Sequence, residues 1–389
     1  MSRLKVAALA VATLCALQGC SKNTGVGGEA GDASATTVAS NAEFAAKLNL
    51  KDAQDFEDAK RGLVARPTGK IVAADGRVLR DFEAFKFLDG AAPGTVNPSL
   101  WRHAILNEQI GLFKVTDRVY QLRGFDNASI TLIEGKTGWI VVDTLNTRET
   151  AEAAMAFARK HLGDKSVSAL IFTHSHIDHF GGALGVISPK DIETRKVPVV
   201  APIGFMEEAT SENVLVGTAM GRRSSYQFGK DLERSAKGMV DVGNGKMVVY
   251  GTFGILPPNA LVPKPRQEMT LDGVGFVFYN VPGAEAPSEL TFTVPELKIY
   301  CGAENLAQTM HNLLPNRGAK VRDALAWSNY LDQALEQVNG IDIYIGQHNW
   351  PIWGNARIKE FITKHRDVYK YTHDQTVRLI NAGYTPREI

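Results

Sequence analysis

The stretch Thr173-His174-Ser175-His176-Ile177-Asp178-His179 constrains this chain more than any other. It sets three imidazoles and one carboxylate within positions 174–179, in a sequence with 9 histidines among 389 residues. Neutral imidazole nitrogen and carboxylate oxygen suit zinc and its first-row neighbours. Four such groups cannot all serve one tetrahedral ion that must also keep an open position. The spacing therefore reads as two ions side by side. His174 and His176 alternate onto one side of an extended segment, and Asp178 with His179 forms the second pair. The run Ser168-Ala169-Leu170-Ile171-Phe172-Thr173 reads as a buried strand. The ligands then sit at its carboxyl end, where sites form in open α/β sheets. Gly181-Gly182 follows at once and is expected to let the backbone bend tightly into a helix.

Two ions need about three protein ligands each, so two or three more must come from elsewhere. The sequence has no histidine between His179 and His311. Glu285 lies in Val281-Pro282-Gly283-Ala284-Glu285, and Glu304 in Cys301-Gly302-Ala303-Glu304. Both follow short apolar runs, and both have small neighbours that leave a metal room to approach. His348 comes directly after the strand-like run Ile341 to Gly346, with Trp350 and Trp353 beyond it. Taken alone, each glutamate reads as a solvated loop residue and His348 as a buried ring stacked on tryptophan. The ligands still owed to the histidine loop favour ligation by all three.

This pattern resembles the metallo-β-lactamase superfamily and, within it, the alkyl-sulfatase family, where two carboxylates stand in place of a His and an Asp. The resemblance runs from about Leu112 to the C-terminus. It includes Phe113-Lys114-Val115-Thr116-Asp117, Gly138-Trp139-Ile140-Val141-Val142-Asp143, Arg222-Arg223-Ser224-Ser225-Tyr226 and Met310-His311-Asn312-Leu313. It is weakest over Lys230 to Pro265.

The resemblance implies an α/β fold of the αββα type, two mixed sheets flanked by helices. It also implies two Zn²⁺ ions per chain, one held by His174, His176 and Glu285, the other by Asp178, His179 and His348, with Glu304 shared. The implied reaction is hydrolysis of an alkyl sulfate ester to alcohol and inorganic sulfate by a metal-activated water, with cleavage of the C–O bond. Arg317 matches an arginine that the family places near sulfate, and its planar fork can hold two oxygens. Asp178, His311 as a donor, and Tyr226 complete the candidate catalytic set. Trp350, Trp353 and Phe205 are candidates for an apolar groove. A β-lactamase, thioesterase or lactonase of the same fold competes with this reading, but the missing middle histidine argues against them. A non-catalytic ligand-binding lipoprotein is opposed by the complete set of seven candidate ligands.

The 43 basic and 42 acidic residues leave a net charge of +1, which argues against a nucleic-acid footprint. Arg3 and Lys5 precede the apolar run Val6 to Leu17, too short to span a bilayer and suited to a signal peptide. Leu17-Gln18-Gly19-Cys20 resembles a bacterial lipobox, so residues 1–20 are expected to be a lipoprotein signal. Cys20 would then anchor the chain at a periplasmic membrane face, with an ordinary secreted periplasmic protein as the alternative. Residues 21–42 read as a flexible tether. Residues 43–107 read as an extension wrapping the core, 108–370 as the catalytic domain, and 371–389 as the start of a C-terminal helical region. From the family, the full-length form is expected to be a homodimer. Strands are expected at Val119 to Leu122, Ala128 to Glu134, Trp139 to Asp143, Gly275 to Tyr279, Glu289 to Val294 and Lys298 to Cys301. A helix is expected from an Asn146/Glu149 capping box to Gly163, with others over Val321 to Val338 and Ala356 to Ala382.

Overall fold

The computed structural model describes residues 31–389. The expected signal sequence, Cys20 and the start of the expected tether lie outside the described residues. Among the described residues, no helix is long and apolar enough to cross a membrane.

Two mixed sheets lie face to face. The first has eight strands, in spatial order Leu63–Ala65, Gly111–Lys114, Val119–Arg123, Ile130–Glu134, Trp139–Val142, Val167–Ile171, Val199–Pro202 and Ala260–Val262. The second has six, Arg266–Leu271, Val274–Asn280, Leu290–Val294, Ile299–Cys301, Ile343–Ile345 and Ile352–Trp353. Side chains alternate across a strand, so each buried strand feeds two cores. Ile140 and Val142 point between the sheets, where they meet Phe276, Phe278 and Phe292, while Trp139 and Val141 point to the outer layer. Cys301 and Ile345 likewise face the inner layer, and Tyr300 and Tyr344 the opposite one.

Helices cover both outer faces. The helix Arg148–Leu162 buries Ala151, Ala154, Met155 and Ala158, a stripe at helical spacing, against the first sheet. On the other side, helices Ala324–Gln337 and Asn355–Asn381 bury Trp327, Leu331, Ile358 and Ile362 against the second. The αββα sandwich is complete.

Several local features differ from the sequence reading. Residues 35–46, expected to be mostly tether, form a helix whose first turn is capped by the Ser34 hydroxyl. An Ala/Thr-rich run becomes helical once its free N–H groups find a cap. The Arg148–Leu162 helix is capped by Thr147, which accepts from Thr150 N, so Asn146 and Glu149 form no capping box. Glu149 instead accepts from Thr252 N. The boundary drawn at residue 370 falls inside the unbroken helix Asn355–Asn381.

The extension ahead of residue 108 packs against the least family-like segment. Phe85, Leu88, Trp101 and Ala104 share a core with Met239, Val240, Met247 and Val249.

Candidate metal centre

Four strands deliver the site. Trp139–Val142 pairs in parallel with Val167–Ile171, and Ile299–Cys301 pairs in parallel with Ile343–Ile345. Their carboxyl ends lie at one edge of the sandwich and carry Asp143, the histidine loop, Glu304 and His348. Gln347 ties the two sheets together there, donating to Val142 O and accepting from Thr131 Oγ1. Gly181 and Gly182 have ordinary negative φ, so a tight bend is not their role. A Cβ on them would come within 2.2 Å of Asn146 O and 2.1 Å of Thr144 O. Their task is close packing of the short helix Ile177–Phe180 on the loop after Asp143.

The histidine loop closes on residues far away in sequence. His174 Nε2 lies 3.2 Å from Glu304 Oε2 and 3.5 Å from Glu285 Oε2, and His176 Nδ1 lies 2.8 Å from the same Glu285 oxygen. Glu304 Oε2 also lies 3.2 Å from His179 Nε2 and 3.1 Å from His348 Nε2. Asp178 Oδ2 is 3.4 Å and 3.6 Å from those two nitrogens. Two groups result, each with its ligand atoms within 4.8 Å of one another: His174, His176, Glu285 and Glu304, then Asp178, His179, Glu304 and His348. All seven candidate ligands meet, and Glu304 belongs to both groups.

Hydrogen bonds to the far nitrogen orient three of the four rings. His179 Nδ1 donates to Asp143 at 2.7 Å, which leaves Nε2 free to ligate. Thr173 Oγ1 donates to Asp143 and accepts from His174 Nδ1. His348 Nδ1 donates to the carbonyls of Asn127 and Asn244, each at 3.0 Å. Asn127 Nδ2 fixes Asp178 at 2.7 Å. Asp143 sits at φ 57°, a left-handed conformation unusual outside glycine, and its bonds to Thr173 and His179 hold it there.

The electrostatics suit a divalent cation. Burial alone would raise the carboxyl of Glu304, but the His348 imidazole, the facing His174 and His179 rings and the hydrogen bond from His311 hold it well below its usual range. Burial likewise opposes ionisation of Glu285, and Arg322 overrides it. Burial and the neighbouring His179 push His174 down, toward the neutral form that binds metal. His174 Nε2 and Glu285 Oε2 are buried, face each other and have no hydrogen-bond partner. Two orphaned acceptor atoms of the nitrogen–oxygen type suit a zinc-like divalent ion.

Three supporting residues escaped the sequence reading. Arg322 donates to the Glu285 carboxylate and carbonyl, and its Nη1 donates to His311 Nδ1 at 2.6 Å. His311 is thereby left with its proton on Nε2, which donates to Glu304 Oε1 at 2.7 Å. Glu289 accepts from the backbone N–H groups of Glu285, Ala286 and Glu304, so one side chain pins both glutamate loops. Burial, with Glu285 and Glu304 beside it, pushes the Glu289 carboxyl well up. Asp143 ends a strand within the family-like run, but only its pairing with His179 reveals its role.

A cavity of about 490 Å³ opens over the centre. His176, Asp178, Glu285, Glu304, His311 and Arg317 border it, and Met220, Phe228, Val242, Val248, Phe253 and Met310 give it an apolar wall. Arg317 is held by its backbone N–H, which donates to Gln227. Tyr226 does not join them: it is 90% exposed on the far face of its helix, which removes it from the catalytic set. The aromatic groove candidates also fall elsewhere. Phe205 stacks on Phe172 in the outer core, Trp350 packs with Ala59 and Leu106, and Trp353 lies under Arg61. The apolar wall comes instead from helix Gly217–Phe228 and the segment after Asp241.

The profile of the metallo-β-lactamase superfamily matches residues 123–348, from Arg123 to the last candidate ligand. The chain is 45% identical over 357 residues to an alkyl/aryl-sulfatase of Saccharomyces cerevisiae, BDS1, covering 91% of this chain and 55% of that protein. It is 46% identical over 360 residues to an (R)-specific secondary-alkylsulfatase of a Pseudomonas species, covering 92% of this chain and 54% of that one. The solved structure of a stereoselective inverting sec-alkylsulfatase, Pisa1 from Pseudomonas, superposes with a TM-score of 0.89 at 45% identity, over 92% of this chain and 57% of that one. The chain thus spans about half the length of the curated relatives it matches.

Proposed function

The chain belongs to the metallo-β-lactamase superfamily, and on that premise we propose that it hydrolyses alkyl sulfate esters to alcohol and inorganic sulfate at a two-zinc centre. The observation that carries this reading is the cavity itself. It joins two ligand groups sharing Glu304 to a guanidinium and an apolar wall, as a sulfate head with an alkyl tail requires. The names of the similar alkyl sulfatases support it.

Bound divalent ions supply a water of lowered pKa and positive charge beside the ester. The chain's own groups do the rest. Asn127 keeps Asp178 aimed at the second ligand group. Arg317 offers a planar fork to the sulfate oxygens, whose charge grows as the ester breaks. His311, with its proton held on Nε2 by Arg322, donates to Glu304 Oε1 and so fixes the shared carboxylate at the cavity wall. Met220, Phe228 and Phe253 take the alkyl chain and exclude water.

The test is one assay on zinc-loaded protein whose metal content has been measured. Sulfate should be released from dodecyl sulfate, and Asp178→Ala should abolish the release. In ¹⁸O-labelled water the label should enter the alcohol, as C–O cleavage demands. Protein holding two zinc ions that releases no sulfate would sink the reading.

A further inference from the structure

The cavity contains one charged group that neither ligand set nor anion binding uses. Glu212 is 5% exposed, borders the cavity, and has a buried Oε1 with no partner. Its other oxygen lies 3.7 Å from His176 Nε2 and 3.9 Å from Arg317 Nη2. Among the described residues it is the only carboxylate within 4.0 Å of Arg317. At 3.9 Å the contact is outside hydrogen-bond range, so Glu212 tempers the arginine's charge without occupying its fork. His176 turns Nδ1 toward Glu285 and Nε2 toward Glu212, so Glu212 stands on the cavity side of that ring, away from the first ligand group. It is carried on a single π turn, Ser211–Leu215, between helices Phe205–Thr210 and Gly217–Phe228. Such turns are uncommon and concentrate at functional sites.

A fixed negative charge beside an anion pocket weakens binding of every anion, and the penalty scales with the anion's charge. We infer that Glu212 is a specificity-determining residue. It lowers affinity for a doubly charged phosphate-type head relative to a singly charged sulfate-type head of nearly the same shape. A sulfate ester carries one negative charge, whereas a phosphate monoester carries two above its second pKa of about 6. Shape cannot separate the two, and a built-in repulsion can. The inference rests on reading the cavity as a sulfate-ester site.

The test uses zinc-loaded protein and two non-hydrolysable probes, decyl sulfonate and decyl phosphonate, titrated calorimetrically at pH 8.5. Metal loss or loosened packing weakens both probes together, so the ratio of their dissociation constants is the readout. Glu212→Gln should shift that ratio toward the phosphonate by about tenfold or more. Glu212→Asp, which keeps the charge, should hold it within about threefold of the parent. An unchanged ratio in Glu212→Gln overturns the inference, as does a Glu212→Asp ratio that moves as far as the Gln variant's. Failure of the functional reading is separate: the parent would release no sulfate from dodecyl sulfate, while the probe ratio would still report on Glu212.

Discussion

Arg322 shows how one side chain can serve two halves of a site. Its fork binds Glu285, a candidate ligand of the first metal, and its Nη1 sets the proton position of His311. The guanidinium is 5% exposed, so no water replaces it when it is removed. Arg322→Met should therefore cost the metal-free protein about 3–5 kcal/mol, the usual effect of orphaning one member of a buried ion pair. Denaturant unfolding of the chelated variant reads this directly. Turnover of the zinc-loaded variant should fall as well, since His311 Nδ1 loses its donor. Near-parental stability together with near-parental turnover would return Arg322 to an incidental role. Its neighbours Lys320 and Val321 resemble any helix approach, which is why sequence reasoning passed over it.

At the scale of elements, the site depends on segments that hold no ligand. Lys246 is almost fully buried and donates to the carbonyls of Ala104 and Val240, each at 3.0 Å. It pairs with Asp241 at 3.2 Å, and burial pushes its ammonium pKa down against the pull of Asp241 and Glu108. This knot fastens the segment after Met239 to the N-terminal helix Pro98–Asn107. Two residues earlier, Asn244 presents its carbonyl to His348 and its amide to Glu304. Lys246→Met preserves the volume but leaves Asp241 buried and unpaired. We expect zinc affinity to weaken about tenfold, the lower end for loss of a group supporting a metal ligand. Zinc titration would check this, and unchanged affinity would show that the extension is mere cladding. The last long helix has a comparable reach: Tyr369, stacked on Trp327, accepts from His311 N at 3.0 Å.

For the whole molecule, a metal held at the candidate centre would act as a staple between the sheets. The histidine loop extends from the first sheet, while Glu285, Glu304 and His348 extend from the second. Any ion bound there favours the folded state by mass action. Two zinc ions, each at about 100-fold over its dissociation constant, would add roughly 5 kcal/mol. Chelation should then lower Tm by roughly 10 °C, with zinc restoring it and magnesium failing to, because nitrogen-rich sites disfavour magnesium. A melting curve indifferent to chelator would mean that the two groups hold no metal in solution.

The sequence alone determined the local chemistry. Four residues within one loop, two glutamates after apolar runs and a histidine beyond a strand named the candidate donor set, because ligand type and strand periodicity are properties of short segments. The αββα sandwich was legible through the family resemblance, and its strands through their alternating apolar faces. Only the tertiary structure decided which groups meet. Arg322, Glu289, Asp143 and Glu212 acquire meaning through partners between 3 and 105 positions away. Likewise, Tyr226 was lost and the aromatic candidates displaced because the face a side chain presents depends on what its element packs against. Burial, which strips water from charges and makes each pairing matter, exists only once the two sheets close on each other.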